Sequence, residues 1–463
     1  MKEAEAIHPV QGKAGIGGWP ASVLVPAVAC GATIGILTSI TGNLLISMIA
    51  ALVVPLMMWK PFLGLMGLVL LVPLEELTTF GYSFTLVRVV GASTFICWFF
   101  QVVLRRQKIK LDLFLWVALL FLAWSCCSLF WAVDRGGGIV AVFTITQLVL
   151  LYLMSCNIID SDEKLRAFMS YYIAGAAIAA IIAILGAYEA GFTARASVSS
   201  MQNPNRFAHA LSLGLILAVF LTCTCRGYQR YLYLFSAFPL ALGVLLSGSR
   251  GTWLAVLASI AVAGLITKSK KVKFVLITIL IIALLFNSAI ISAMPPLIAD
   301  RITSIANLAD RGSGRLDIWM VGLEMVRENW LTGVGIYGFP TAYNDYIFNS
   351  YDEIRDRGVM RDAHSSFLCL LAELGLLGFL LFSMFWWAAW KSIGRLPGNP
   401  EKTLGICLLV FLFFVSLTAT EHKEKFFWLG WLIVNMLSFS GRRNIENRQP
   451  EDKEKSSGDL QCI

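Results

Sequence analysis

The chain has 463 residues, of which 57% are hydrophobic and 14% charged, with a formal net charge of +8. Soluble globular domains carry about 25% charged residues. The composition therefore excludes an ordinary soluble enzyme, a disordered protein and a nucleic-acid binder with a polar surface. The positive charge does not imply a nucleic-acid partner, because membrane proteins collect Lys and Arg on one face.

Crossing a hydrocarbon core of ~30 Å takes about 20 apolar residues. In chain order, apolar segments are read at 22–40, 43–59, 61–74, 84–104, 112–132, 137–157, 166–187, 207–225, 229–247, 250–268, 273–293, 364–387, 402–420 and 424–441. The second and third flank Pro61 and are short enough for a hairpin or broken helices, so the count is 12–14 spans. The predicted fold is an all-α, polytopic transmembrane helical bundle with membrane lipid around it. The expected division is a cytoplasmic N-terminus (1–21), a first part of the bundle (22–293), a large outer loop (294–363), the last part of the bundle (364–441) and a disordered cytoplasmic tail (442–463).

Orientation follows from the basic residues. With the N-terminus inside, the inner segments hold 14 Lys and 9 Arg, and the outer ones 2 Lys and 12 Arg. Both termini are then cytoplasmic. Outside, Arg replaces Lys almost completely. Arg presents a planar, permanently charged fork that grips phosphate or carboxylate with two hydrogen bonds. The excess reads either as anion gripping or as ion pairing with loop carboxylates.

Nine of the ten cysteines lie in or at the ends of apolar spans, so no disulfide framework is implied. Their pairs lack His or Cys partners at ligand spacing, so no metal site is expected.

The outer loop is too long for a simple connection. Leu316, Trp319, Leu323, Val326 and Trp330 fall on one helical face, predicting an amphipathic helix along the membrane surface or capping the bundle. Arg311-Gly312-Ser313-Gly314-Arg315 precedes it, where a turn would expose helix N–H groups suited to phosphate. A Gly-rich run, Leu331 to Phe339, follows it.

His364 stands at the outer end of the 364–387 span. Asp362 is expected to cap that helix and to place His364 in its first turn, neutral and able to act as a general base; an interfacial His without chemistry is the other reading. Arg250, in Ser247-Gly248-Ser249-Arg250-Gly251, is costly at the membrane boundary unless it meets an anion or snorkels, and Gly251 would admit a ligand to the backbone. Arg206 and Arg88 open spans 207–225 and 84–104, and Arg361 precedes His364; with Arg311 they are the candidate substrate-binding residues. His209 reads as packed, His422 as solvated, and Glu373 as either functional or hydrogen-bonded within the bundle.

Three stretches carry a family likeness: SGSRGTWLA at 247–255, GRLDIWMVGLEMVRENWLTGVGIYGF at 314–339, and AHSSFLCLLAELGLLGFLLF at 363–382. The chain resembles the O-antigen ligase and polymerase superfamily of bacterial membrane glycosyltransferases; Ser365 departs from the Asn that many members carry after the His. The resemblance implies a GT-C-like bundle of the bacterial inner membrane with its active site on the periplasmic face. It implies a glycan donor on undecaprenyl pyrophosphate, a lipid A–core or other glycan acceptor, no metal and no cofactor. Carried over, Arg250 and Arg315 bind the diphosphate and His364 assists the acceptor hydroxyl. Ligase, polymerase and protein O-oligosaccharyltransferase share that donor and differ in acceptor. A lipid-linked glycan transporter is the reading from another class, but no internal repeat supports it.

Overall fold

The computed structural model describes residues 59–80, 84–199, 202–267, 270, 273, 295–303, 314–350, 360–396 and 399–438. The expected N-terminal segment, the spans 22–40 and 43–59, nearly all of 273–293, Arg311 and the C-terminal tail lie outside the described residues. The chain divides into two compact units: Met1–Gly64 with Ala92–Gln107, and Leu65–Gly91 with Lys108–Ile463.

The described helices are α1 (Pro61–Leu71), α2 (Leu86–Leu104), α3 (Leu113–Ser128), α4 (Arg135–Ile158), α5 (Asp162–Glu189), α6 (Pro204–Thr224), α7 (Tyr228–Leu246) and α8 (Arg250–Ile266). They continue with α9 (Pro296–Thr303), α10 (Arg315–Glu328), α11 (Phe339–Ser350), α12 (Ser366–Gly394), α13 (Asn399–Thr418) and α14 (Lys425–Ser438). A 3-10 helix, Val72–Thr78, extends α1, and a two-residue antiparallel ladder pairs Thr79–Phe80 with Phe84–Thr85. Among the described residues, 8 helices are long and apolar enough to cross a membrane, and α3, α8 and α14 are shorter apolar helices. The protein is an all-α polytopic helical bundle.

Helix starts follow capping chemistry. The carboxylates of Asp112 and Asp134 accept from Leu115 and Gly137 backbone N–H groups at 2.8 Å each, and the Ser161 hydroxyl accepts from Lys164. Small residues let α5, α6 and α7 approach closely, as helices in lipid require. Ala176, Ala179 and Ala180 of α5 are fully buried; a Cβ on Gly214 would meet Ala176, and one on Gly243 would meet Leu211 and Ala180. The opposite side of α7 exposes Tyr231, Leu232, Phe235 and Phe238, the apolar face expected against lipid.

α12 is broken at Gly375, whose φ is +65°. A break leaves carbonyls without helical donors, and in a membrane-embedded bundle the protein must supply others. It does so with the Gly-rich run. Val334 N–H donates to the Ala372 carbonyl (2.9 Å), Gly335 N–H to that of Glu373 (2.8 Å), and Trp124 Nε1 to that of Leu374 (2.9 Å). In return Leu376 N–H donates to the Trp330 carbonyl (2.8 Å). A side chain on Gly375 would collide with the Leu331 backbone, and one on Gly333 with that of Glu373. The glycines therefore dock two backbones against each other.

α10 buries Ile318, Val321, Gly322 and Met325 against neighbouring helices, while Leu316 and Leu323 of the expected stripe are 48% and 57% exposed and Val326 of the same stripe packs inward. The helix is thus apolar on two faces, and the exposed one is compatible with the expected place along the membrane surface. One sequence expectation changes here. The cap of α12 is Ser365, whose Oγ accepts from Leu368 N–H (3.4 Å), and not Asp362. His364 precedes the helix in a left-handed conformation (φ +48°), so the helix dipole does not govern its ring.

Candidate functional site

The ends of four helices build the site. The turn Ser247–Ser249 joins α7 to α8 through Gly248 (φ +62°), and Arg250 is the first residue of α8. Gly314 (φ +77°) opens α10, and Arg315 is its first residue. Neither N-terminus has a side-chain cap among the described residues, so each presents first-turn N–H groups beside an arginine.

Arg195, from the loop between α5 and α6, joins them. Its Nε donates to the Ser247 carbonyl (2.6 Å) and its Nη2 to Asn205 Oδ1 (2.6 Å). Both partners are neutral. Arg195 and Arg301 of α9 also flank Gly248, at 3.5 and 3.6 Å from the position a Cβ would take. Burial, reinforced by the charges of Arg301, Arg315 and Arg250, pulls the Arg195 pKa down to about 10. Burial with Arg250 nearby also lowers that of Arg315. Four guanidiniums thus share one neighbourhood. Among the described residues no carboxylate pairs with Arg195 or Arg315.

His364 lies at the edge of this cluster. Burial lowers its pKa; Asp362 opposes the shift, and Arg315, Arg361 and Arg206 add to it. The ring is therefore neutral at pH 7, as expected, but burial and arginines cause this rather than a helix end. Arg250, Arg315, His364 and Arg361 are brought together. Arg206 reaches His364 electrostatically but is engaged by Glu424 at 3.2 Å. Through its backbone, Arg88 belongs to another network: its N–H donates to Thr85 Oγ1, which donates to Glu75, itself bridged to Lys425 Nζ at 2.6 Å.

The turn between α13 and α14 forms the floor. Glu421 accepts from or donates to His209 Nδ1 at 2.9 Å, with both side chains buried. The Glu421 N–H donates to Ser366 Oγ (2.9 Å), tying this turn to the start of α12. His422, expected to be solvated, is 2% exposed because the turn folds inward onto α12 and the aromatic core. Gly251 accommodates Thr418 of α13, at 3.0 Å from the would-be Cβ, rather than a ligand.

Arg195 and Arg301 were missed from the sequence because neither sits in a motif or a span. Their only signal was the outer excess of Arg over Lys. Chemically, the cluster can neutralise a diphosphate with forked donors and two helix N-termini, while a neutral imidazole waits to accept a proton.

No curated protein matches the chain. Residues 235–383 match the family model described as O-antigen ligase, so this stretch, which holds Arg250, Arg315 and His364, belongs to the O-antigen ligase superfamily.

Proposed function

We propose that the protein transfers a glycan from undecaprenyl pyrophosphate to an acceptor hydroxyl at the periplasmic face of the bacterial inner membrane, with lipid A–core as the first acceptor to consider. The observation that carries this reading is the gathering of Arg195, Arg250, Arg301 and Arg315, in which Arg195 donates to two neutral oxygens, beside a neutral His364.

In this reading Arg250 and Arg315 are catalytic, and Arg195 and Arg301 extend the grip on the two phosphates. The acceptor oxygen bonds to the anomeric carbon as the bond from that carbon to the diphosphate oxygen breaks. The hydroxyl proton passes to His364, and the electron pair of the broken bond leaves with the carrier diphosphate. Direct displacement inverts the anomeric centre. Prearranged cations stabilise charge where it develops, which supplies the larger part of such catalysis. The phosphoanhydride-linked donor carries the driving force, so the residues named need no nucleotide. Asp362, the acid whose charge opposes the fall in His364 pKa, would stabilise the imidazolium formed. Arg361 would help hold the donor; Arg206, tied to Glu424, would position His364 more than grip phosphate.

The test is reconstitution with carrier-linked glycan, offering lipid A–core, a second carrier-linked glycan and a peptide as acceptors. Transfer to lipid A–core supports a ligase, elongation on the carrier a polymerase, and peptide modification a protein glycosyltransferase. No transfer to any of them, with donor intact, contradicts the proposal.

A further inference from the structure

Three buried side chains beneath the site have no part in the proposed reaction. Cys369 and Glu373 sit one turn apart on α12, and His422 comes from the turn before α14. One ligand atom from each lies within 4.8 Å of the others, and the residues are 1%, 1% and 2% exposed. Glu373 Oε1 accepts from Phe339 N–H (3.3 Å), but its Oε2 has no hydrogen-bond partner, and neither ring nitrogen of His422 has one. Buried polar atoms are rarely left unsatisfied, and each costs about 1–3 kcal/mol when it is. A carboxylate oxygen and one imidazole nitrogen converging on one thiol call for a common partner.

We propose that Cys369, Glu373 and His422 bind one zinc ion, which staples the broken helix α12 to the α13–α14 turn. Thiolate, carboxylate and imidazole are the zinc ligand types, and a water completes the tetrahedron. Tetrahedral bonds of about 2.0–2.3 Å hold ligand atoms about 3.3–3.8 Å apart, a spacing compatible with atoms that all lie within 4.8 Å of one another. Charge agrees with this. The thiolate, Glu373 and Asp362, whose field reaches both Cys369 and Glu373, are balanced by the dication and by the ammonium of Lys423, which faces Glu373 and lies 4.8 Å over the Tyr337 ring. Arg206 also bears on His422, but Glu424 engages it. Zinc binding displaces the Cys369 thiol proton to solvent, and no electron changes hands. The sequence could not show this set, because only the fold carries His422 to the helix holding the other two.

The site is independent of the glycan chemistry, and so is its test. Untagged full-length protein is purified in detergent and its metal content measured by elemental mass spectrometry. The expected result is about one zinc per chain, falling to near zero in Cys369→Ser and in His422→Ala. Zinc-stripped wild-type protein titrated with Co2+ should develop a thiolate-to-cobalt charge-transfer band that Cys369→Ser lacks, a readout on the wild-type fold. Wild-type protein that neither retains zinc nor takes up Co2+ overturns the proposal. So does a zinc content that both substitutions leave unchanged.

Discussion

Arg315→Gln separates an anion-binding arginine from a structural one. Among the described residues Arg315 has no carboxylate partner, and the charge that bears on it is another guanidinium, Arg250. Removing it strands no acid. It relieves repulsion inside a group of like charges, so thermal stability in detergent should hold or rise slightly. The rate should behave in the opposite way. Loss of one prearranged donor from a site where charge develops costs about 10²–10³ in kcat, or about 2.7–4 kcal/mol. Arg206→Gln is the contrast. It breaks the pair with Glu424, whose partners are 45% and 29% exposed, so screening limits the stability loss to about 1 kcal/mol or less. Melting should fall modestly, with a smaller effect on rate. The assay pairs single-turnover transfer from carrier-linked glycan with thermal unfolding of the same preparation. If Arg315→Gln lowers the melting temperature and leaves transfer intact, Arg315 is a structural residue and the diphosphate reading of the cluster fails.

Three further outcomes are expected. The Arg195 pKa of about 10 lies below its ordinary 12.5, so at neutral pH the guanidinium stays charged but is less favourable in the folded chain than in the unfolded one, and an anion should relieve that cost. Inorganic diphosphate should raise the melting temperature at pH 7, by up to about 2.7 kcal/mol of stability at a hundredfold excess over Kd, and Arg195→Gln should shrink the shift. An equal response to chloride at matched ionic strength would count against the site. The His364 pKa is lowered from 6.5 by burial and by Arg315, Arg361 and Arg206, against the pull of Asp362. The base must be neutral, so the acid limb of kcat/KM should lie below pH 6.5; Arg361→Gln should move it up and Asp362→Asn further down, and a limb unmoved by both would remove His364 as the titrating base. Gly375→Ala places a Cβ into the Leu331 backbone at a left-handed φ. It should cost at least about 1–3 kcal/mol and be seen as a lower melting temperature; an unchanged one would mean that the Gly-rich run does not brace the break.

The spans were legible because lipid imposes a single demand, sustained apolarity over a fixed length. Each apolar segment from 61–74 to 250–268, and each from 364–387 onward, corresponds to a described helix. Arg250, Arg315 and His364, the residues of the proposed site, stand out in the sequence because each sits in a local pattern: a Gly-flanked turn, a Gly-Arg helix start, a polar run before a span. Arg195 and Arg301 were not, since their meaning depends on a loop and a short helix folding back onto Gly248. His422 looked solvated because its neighbours Glu421, Lys423 and Glu424 are charged. In the fold those neighbours are themselves engaged, by His209, Glu373 and Arg206. A charged run at a helix turn can thus be an internal electrostatic floor, which local composition cannot distinguish from a wet loop. α10 carries apolar residues on two faces, and spacing alone does not say which one meets protein.

The most direct measurement is glycan transfer by purified protein in liposomes, comparing wild type with Arg250→Ala, Arg315→Ala and His364→Ala at matched insertion and folding. The account requires transfer by the wild type and its loss in all three. Near-wild-type transfer in the three variants would contradict it.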